Sequence, residues 1–252
     1  MRTVATYSIK GGVGKTTAAV NLAYEAAASG RRVLLWDLDP QGAATYCYRV
    51  APGIKGGAER LVGKGGELER HVRGTEVVGL DVVPADLTLR HLDRYLDAAK
   101  RPTRRLARLL DGLADRYDIV VLDCPPGATI SSESMFFAVD ALLVPTIPSP
   151  LAARTLGQLV ELLSTAKGAP MVLPFLSMVD RRRKRQRELA DALVAGEVQF
   201  LGTVVPALAA IEQMGEERAP VATFAPRSPG AAAFHDLWAE VSSALWPAAV
   251  PA

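Results

Sequence analysis

The sequence predicts an α/β protein with a mainly parallel, twisted sheet that is covered by helices on both faces. Short apolar segments of the kind that form buried strands recur along the 252 residues. Longer amphipathic segments alternate with them, which is the pattern of a parallel sheet whose crossover connections are helices. The chain shows neither an internal repeat nor a linker, so we expect one domain over residues 1–252.

The predicted strands are short and end in polar or turn-forming residues. The first covers 4–9 and leads into a glycine-rich loop and a helix over 15–29, which Ser29-Gly30 would end. The remaining strands are expected at 33–36, 80–83, 119–122, 141–144, 171–177 and 200–205. Helices are expected at 86–100, 103–115, 150–166, 181–195, 207–217 and 229–246, while the glycine-rich segment 51–74 predicts a loop with at most a short helix.

The composition is that of a packed protein rather than a disordered or membrane-spanning one. Hydrophobic residues make up 49% of the chain and the net charge is only +2, so any basic surface must arise from local clustering. Cys47 and Cys124 belong to no CxxC motif, which argues against a disulfide scaffold or a zinc site and favours small structural residues in a reducing cytoplasm. We expect no signal peptide, and no apolar run reaches the roughly 18 residues of a membrane span.

The segment "YSIKGGVGKTTAAVNLA", residues 7–23, predicts a phosphate-binding loop although it departs from the usual pattern G-x-x-x-x-G-K-[ST]. Ile9 stands where the first glycine is expected, and Lys10 follows it directly. Small residues let successive backbone N–H groups converge on phosphate oxygens, and the following helix adds its amino-terminal dipole. Lys15 would then reach the β- and γ-phosphates, and the Thr16 hydroxyl would bind Mg²⁺. The loop residues proposed to bind nucleotide are Gly11, Gly12, Val13, Gly14, Lys15 and Thr16.

Three aspartates at strand ends complete the predicted site. Asp123 follows a buried apolar strand and is the candidate that holds magnesium through water. Asp37 and Asp39 flank Leu38 at another strand end, where one could contact the magnesium shell while the other orients the attacking water. The same residue types also occur as plain strand-end carboxylates, helix caps or turns.

The motifs "KGGVGKTT", "DLDPQG" and "DCPPG", in this order and spacing, resemble the ParA/MinD family of deviant Walker A ATPases. The ParA-type, Soj-like partition ATPases are the most similar branch. The resemblance continues through "MVDRRRKRQRELADAL", "GTVVP" and "APRSPGAAAF", so it covers essentially the whole chain and implies the P-loop NTPase fold of that family.

The resemblance implies a slow ATP hydrolase that uses ATP and Mg²⁺ and forms a nucleotide-sandwich dimer. Lys10 would cross to the partner's ATP and act much as an arginine finger does. Asp39 corresponds to the residue that activates the hydrolytic water, and Asp37 lies in the same switch segment. Thr17 is expected at the α-phosphate and Pro206 beside the adenine.

The run "RRRKRQR" at 181–187 places six cations in seven residues. Such a run is often only a solvated helix face. Asp180, however, looks like an N-cap, which would crowd these cations into the first helical turns, where the dipole disfavours positive charge. The segment resembles one that ParA proteins use for non-specific DNA binding. Arg182 is the leading candidate, and the supporting residues are Arg181, Arg183, Lys184, Arg185 and Arg187.

One segment departs from the family pattern. Many members carry "PRNVR" where this chain has Pro206-Ala207-Leu208-Ala209-Ala210, so both arginines of a second DNA patch are absent. The 181–187 run compensates, or DNA affinity is weaker, or the protein carries another cargo. The loop begins at residue 9, so we also expect no amino-terminal helix-turn-helix domain.

The favoured function is a nucleoid-associated cytoplasmic ATPase that positions a chromosome, plasmid or protein body and is stimulated by a ParB-like adaptor. Two alternatives remain open. A MinD-like membrane ATPase would need a basic amphipathic carboxyl-terminal helix, whereas the final helix here has acidic residues beside Leu237, Val241 and Leu245, so no stable membrane association is expected. A nucleotide-gated scaffold with negligible turnover is the other.

Overall fold

A computed structural model describes residues 1–127 and 130–247 of the chain. Its eight strands form a single sheet in the order β3-β4-β2-β5-β1-β6-β7-β8. The pairings are parallel except for the antiparallel β3–β4 pair at one edge. The strands are β1 (Arg2–Thr6), β2 (Val33–Asp37), β3 (Arg73–Gly74), β4 (Leu80–Val83), β5 (Ile119–Asp123), β6 (Ala141–Thr146), β7 (Met171–Val179) and β8 (Val204–Pro206).

Helices connect the strands and cover the sheet. The longest, α1, α7 and α12, cross between parallel strands or close the chain against the sheet. The helices are α1 (Lys15–Ala28), α2 (Ala43–Cys47), α3 (Gly57–Val62), α4 (Leu92–Asp97), α5 (Arg105–Asp111), α6 (Ile130–Phe136), α7 (Pro150–Ser164), α8 (Lys184–Val194), α9 (Ala209–Glu212), α10 (Met214–Glu217), α11 (Val221–Phe224) and α12 (Pro229–Leu245).

The sheet is buried on both faces because successive strand residues point to opposite sides. In β2, Val33 and Leu35 belong to one apolar core, which also contains α1 and α12 residues. Leu34 and Trp36 belong to a second core on the other face, formed with α3, α4, α5 and α7. The predicted α/β architecture with helices on both faces is therefore confirmed.

Element boundaries differ from the predictions where the chain turns sharply. The first strand ends at Thr6 rather than at residue 9, because residues 7–14 leave the sheet to form the loop. The last strand covers only Val204–Pro206 instead of 200–205. By contrast, α1 ends at Ala28, within one residue of the prediction, and it is followed by Gly30, whose φ of 86° favours glycine.

The predicted helices at 86–100 and 103–115 are shorter and interrupted. A 3₁₀ helix over Leu87–His91 precedes α4, and another over Pro102–Arg104 precedes α5. The predicted helix over 207–217 is divided into α9 and α10, and α2 and α6 were not predicted. The segment 51–74 was predicted to be a loop with at most a short helix. It contains α3, a short 3₁₀ helix and β3.

Candidate nucleotide site

The carboxyl ends of three adjacent strands bring together the polar residues of the candidate site. In the β1–β5 pair Thr6 lies opposite Asp123, and in the β2–β5 pair Asp37 lies opposite Asp123. All three side chains are fully buried. Because parallel strands end at the same edge of the sheet, one hydroxyl and two carboxylates meet beneath the loop that follows β1.

The loop between β1 and α1 has the glycine geometry that a phosphate site requires. Gly12 and Gly14 have φ values of 69° and 96°, a region that side chains with a Cβ rarely adopt. A Cβ at Gly14 would also lie 2.9 Å from Ser177 Oγ. Ser177 in β7 donates to the Val13 carbonyl at 2.9 Å and thereby anchors the loop.

The two lysines of the loop occupy different environments. Lys15 is buried at the start of α1, and its ammonium donates to the Lys10 carbonyl at 3.2 Å. Burial lowers the pKa of Lys15, while the charges of Asp123 and Asp39 oppose that shift. Lys10 is exposed. The loop therefore holds one cation inside the site and presents a second one outward.

Asp123 is a carboxylate with an unsatisfied oxygen. Its Oδ1 accepts from Thr6 Oγ1 at 3.3 Å, whereas Oδ2 is buried without a hydrogen-bond partner among the described residues. Burial raises the pKa of Asp123, the Asp37 charge raises it further, and Thr16 partly offsets the shift. A cation beside a buried carboxylate that has an unpartnered oxygen stabilises its ionised form.

Asp37 and Asp39 have different hydrogen-bond partners although they are only two residues apart. Asp37 accepts from Thr45 N at 2.8 Å and from Thr45 Oγ1 at 2.7 Å, and burial is the main reason that its pKa is raised. The Thr45 hydroxyl also accepts from Ala85 N at 2.8 Å, so Asp37 holds α2 and the turn after β4 in place. Asp39 is half-buried, and its Oδ1 accepts from Gln41 N at 2.9 Å within the turn.

A cavity of about 280 Å³ opens beside the start of α1. Gly14, Thr16 and Thr17 line the cavity, together with Pro206 and residues of α9 and α10. The cavity is largely apolar away from the loop, with Phe175 and Met214 among its lining residues. A planar base would fit between the apolar walls while its phosphates reach the loop.

The residues present fit magnesium bound together with phosphates. The described residues contain no group of three or more His, Cys, Asp or Glu side chains that could hold a metal alone. Mg²⁺ usually keeps several waters and is bound by one or two protein groups and the substrate phosphates. Thr16 and the Asp123 carboxylate, whose Oδ2 has no partner among the described residues, are suitable groups, and Asp37 accepts from Thr45.

Comparisons with known proteins agree with this geometry. A family model described as an AAA domain matches residues 1–171. The chromosome partitioning protein ParA of Caulobacter vibrioides is 31% identical over 96% of this chain and 94% of its own. The chain belongs to the ParA/MinD family of P-loop ATPases.

Solved structures support the same assignment for this ATPase. The cell division ATPase MinD of Pyrococcus furiosus is 25% identical, with a TM-score of 0.79 over 96% of this chain and 99% of its own. A structure of cobyrinic acid a,c-diamide synthase from Mycobacterium smegmatis with bound ADP and magnesium is also 25% identical. Its TM-score is 0.79 over the whole of both chains.

The basic segment of this ATPase differs from the sequence prediction at its start. Asp180 is not the N-cap of α8, because the helix begins at Lys184 and the capping position is Arg183. The Asp180 carboxylate instead accepts from Arg182 N at 3.1 Å, in a turn that Arg183 N closes on the Asp180 carbonyl. The dipole argument therefore applies to Lys184, Arg185 and Arg187, and not to Arg181–Arg183.

The six cations of 181–187 are not equally available. Arg182 and Arg183 form ion pairs with Asp180, Lys184 pairs with Glu188, and an Arg187 N–H donates to the Arg181 carbonyl. The side chains of Arg181 and Arg185 make no ion pair in the part of the chain that the structure describes.

The carboxyl-terminal helix packs inward. Leu237, Val241 and Leu245 of α12 are fully buried in the core that contains α1. None of the described helices combines the length and the apolar character needed to cross a bilayer.

Ser177 and Thr45 support the candidate site, and the sequence motifs indicate neither of them. Ser177 lies inside a strand pattern and reaches the loop only because β7 lies two strands from β1. Thr45 lies eight residues beyond Asp37, and its position just after "DLDPQG" was the one available signal.

Proposed function

We propose that the protein is a ParA-type ATPase that dimerises with Mg-ATP, binds DNA non-specifically and positions a cargo. The convergence of Lys15, Asp123 and the Asp39 turn beneath one glycine loop carries this proposal. In this arrangement a nucleoside triphosphate would contact a cation, a carboxylate that could bind magnesium and a second carboxylate that could orient the attacking water.

The roles of the residues follow from where they lie. Lys15 neutralises β- and γ-phosphate oxygens, and backbone N–H groups of residues 11–14 bind the remaining phosphate charge. Thr16 and Asp123 would hold the magnesium shell, and the ion would neutralise charge on the phosphate oxygens. Asp39, half-buried at the mouth of the site, orients the attacking water.

Dimerisation is supported by what surrounds the outward lysine. Ile9 next to Lys10 is 40% exposed, and Leu151 at the start of α7 is 59% exposed. Lys10 and the first turns of α7 border one common depression. Apolar side chains around a free cation suit a surface that closes against a second copy and places Lys10 at the partner's phosphates.

DNA binding is supported by the cations of the α8 segment. Arg181 and Arg185 are free of intramolecular ion pairs among the described residues, so phosphate contacts by them break no existing pair. A ParB-like adaptor that stimulates hydrolysis and a nucleoid location complete the proposal, and both rest on the family resemblance.

Matched substitutions of the two loop lysines test the proposal. Lys15→Gln should weaken ATP binding by roughly 10- to 100-fold, since a charge-assisted contact contributes about 1.5–3 kcal/mol. Lys10→Gln should leave ATP affinity of the monomer intact and abolish ATP-dependent dimerisation. ATP titration calorimetry and light scattering measure the two effects. Equal behaviour of the two variants would remove the distinct roles of the lysines.

A further inference from the structure

A second basic run lies outside the nucleotide site and outside the α8 segment. Residues 99–108, "AKRPTRRLAR", contain five cations and no carboxylate. The run begins after α4, passes through the 3₁₀ helix at Pro102–Arg104 and enters α5. It packs against the face of the sheet that carries α3 to α7, whereas α8 packs against β7 near the opposite edge.

Three of these five cations border a cavity of about 450 Å³ between α3, α4 and α5. Lys64, Lys100, Arg105 and Arg108 line it, and Glu59 is the one carboxylate in the lining. The cavity shares no lining residue with the nucleotide cavity. A group of four cations against one anion around a cavity attracts a compact anion.

Arg105 is fixed in the cavity wall by the backbone. Its Nε donates to the Val62 carbonyl at 2.7 Å, and a terminal N–H donates to the Gly63 carbonyl. A guanidinium has five N–H donors, so three remain for a ligand. Burial, and then the charge of Arg108, lower the pKa of Arg105.

The other three cations have no internal counter-charge. Lys64, Lys100 and Arg108 make no ion pair within the described ranges 1–127 and 130–247. All three are exposed at the rim, so they can approach an anion without breaking an existing contact. Guanidinium and ammonium groups are the side chains that bind phosphate most commonly.

The volume of the cavity suits a small ligand. Small-molecule sites have volumes of about 300–1,000 Å³ and combine apolar walls with a few placed charges. Here Tyr95, Ala98 and Ala99 supply an apolar wall beside the cations. We propose that the cavity between α3, α4 and α5 binds a small phosphorylated ligand of nucleotide size, independently of the nucleotide site.

Calorimetric titration of adenosine 3′,5′-bisphosphate into protein saturated with Mg-ADP tests this proposal. The wild type should bind one equivalent beyond ADP. Lys100→Glu/Arg108→Glu should weaken this binding by at least roughly tenfold, since two charge-assisted phosphate contacts are lost. Lys55→Glu/Lys167→Glu changes the net charge equally at exposed sites outside the cavity and should bind as the wild type does. Both variants should keep the wild-type Tm.

Three results would overturn the proposal. The first is absence of bisphosphate binding by the wild type under saturating Mg-ADP. The second is an equal loss in both double variants, because the effect would then be one of net charge. In parallel arms, anionic phospholipid vesicles and a short DNA duplex are titrated onto the same proteins. The third result is binding of the vesicles or of the duplex that depends on Lys100 and Arg108, without bisphosphate binding. It would assign the cavity to a membrane surface or to DNA instead.

Discussion

At the scale of single residues, the electrostatics of the site are unfavourable before nucleotide binds. Asp37 and Asp123 occupy opposite positions in neighbouring strands, and both pKa values are raised, chiefly by burial. A carboxyl whose folded-state pKa lies above its unfolded value destabilises the fold as it ionises. The cost is absent below the unfolded pKa of about 3.9 and grows as the pH rises toward the folded value.

Asp123→Asn should therefore stabilise the nucleotide-free protein at pH 8 and have little effect near pH 4. The same substitution should remove most of the stabilisation that Mg-ADP confers, since the magnesium-binding carboxylate is lost. Thermal unfolding at several pH values, with and without Mg-ADP, measures both effects.

Asp118→Asn is the matched control with the opposite sign. The Arg32 hydrogen bonds and charge hold the pKa of Asp118 down at about 2, so its contribution to stability is present above the unfolded pKa and lost in acid. This variant should lower the Tm at pH 8 and leave nucleotide stabilisation unchanged. A drop in Tm for both variants at pH 8 would contradict the conclusion that the ionised Asp123 carboxylate destabilises the nucleotide-free fold.

Thr45 is the residue whose hydroxyl positions Asp37. Thr45→Val keeps the shape but leaves the Ala85 N–H without its partner and removes a donor from Asp37. An unsatisfied buried donor costs about 1–3 kcal/mol, so we expect that loss in the free energy of unfolding. Thr45→Ser should recover most of it. Urea denaturation provides the measurement, and equal stabilities of the Val and Ser variants would exclude this role.

At the scale of elements, local sequence signals predicted some segments closely and others poorly. Helix α1 has a glycine loop before it and Gly30 after it, so both ends are marked in the sequence. The segment 86–104 has start signals at Asp86 and Pro102 but no glycine that would mark a helix end, and Arg101 adopts a φ of 64°, which no residue-type rule anticipates for arginine. Its helical turns are fixed by packing against the second core instead.

The site was predictable where residues adjacent in sequence act together. Lys15, Thr16 and the three aspartates follow from motifs, and the structure brings them to one edge of the sheet. Ser177 depends on the strand order, which places β7 two strands from β1, and Thr45 depends on the β2–β4 pairing that brings Ala85 to its hydroxyl. Single-sequence patterns carry no information about that order.

The turn before α8 allows a prediction about which cations bind DNA. Arg181→Ala/Arg185→Ala removes side chains without internal ion pairs and should weaken binding of ATP-loaded protein to any sequence, with a shallower salt dependence. Arg182→Ala/Arg183→Ala removes the same charge but frees the Asp180 carboxylate. We expect a smaller slope change there, because these cations must first leave Asp180. Retardation assays over a range of salt concentrations compare the two, and the reverse order would restore Arg182 as the leading contact.

At the scale of the whole molecule, the phosphate loop, the Asp39 turn and the start of α7 all lie at the carboxyl edge of the sheet, because they follow β1, β2 and β6 directly. In the proposed dimer, ligand and partner copy would therefore meet the same surface, which would couple nucleotide state to dimerisation. Covering both faces of the sheet with helices leaves the carboxyl edge of the strands as the open side of the site.

Asp39→Ala should separate assembly from hydrolysis. Its side chain contacts Gln41 N in an exposed turn and supports no buried group, so the fold and the ATP site should persist. Without an oriented water, the variant should form an ATP-dependent dimer that stays on DNA while turnover falls by roughly 100-fold or more, the usual range for a lost general base. Light scattering, DNA retention and phosphate release measure the three properties. The double variant Asp39→Ala/Lys15→Gln should remain monomeric and off DNA, because retention requires bound ATP. Normal phosphate release by Asp39→Ala would remove Asp39 from catalysis, whereas an inactive variant that fails to dimerise would place it in assembly instead.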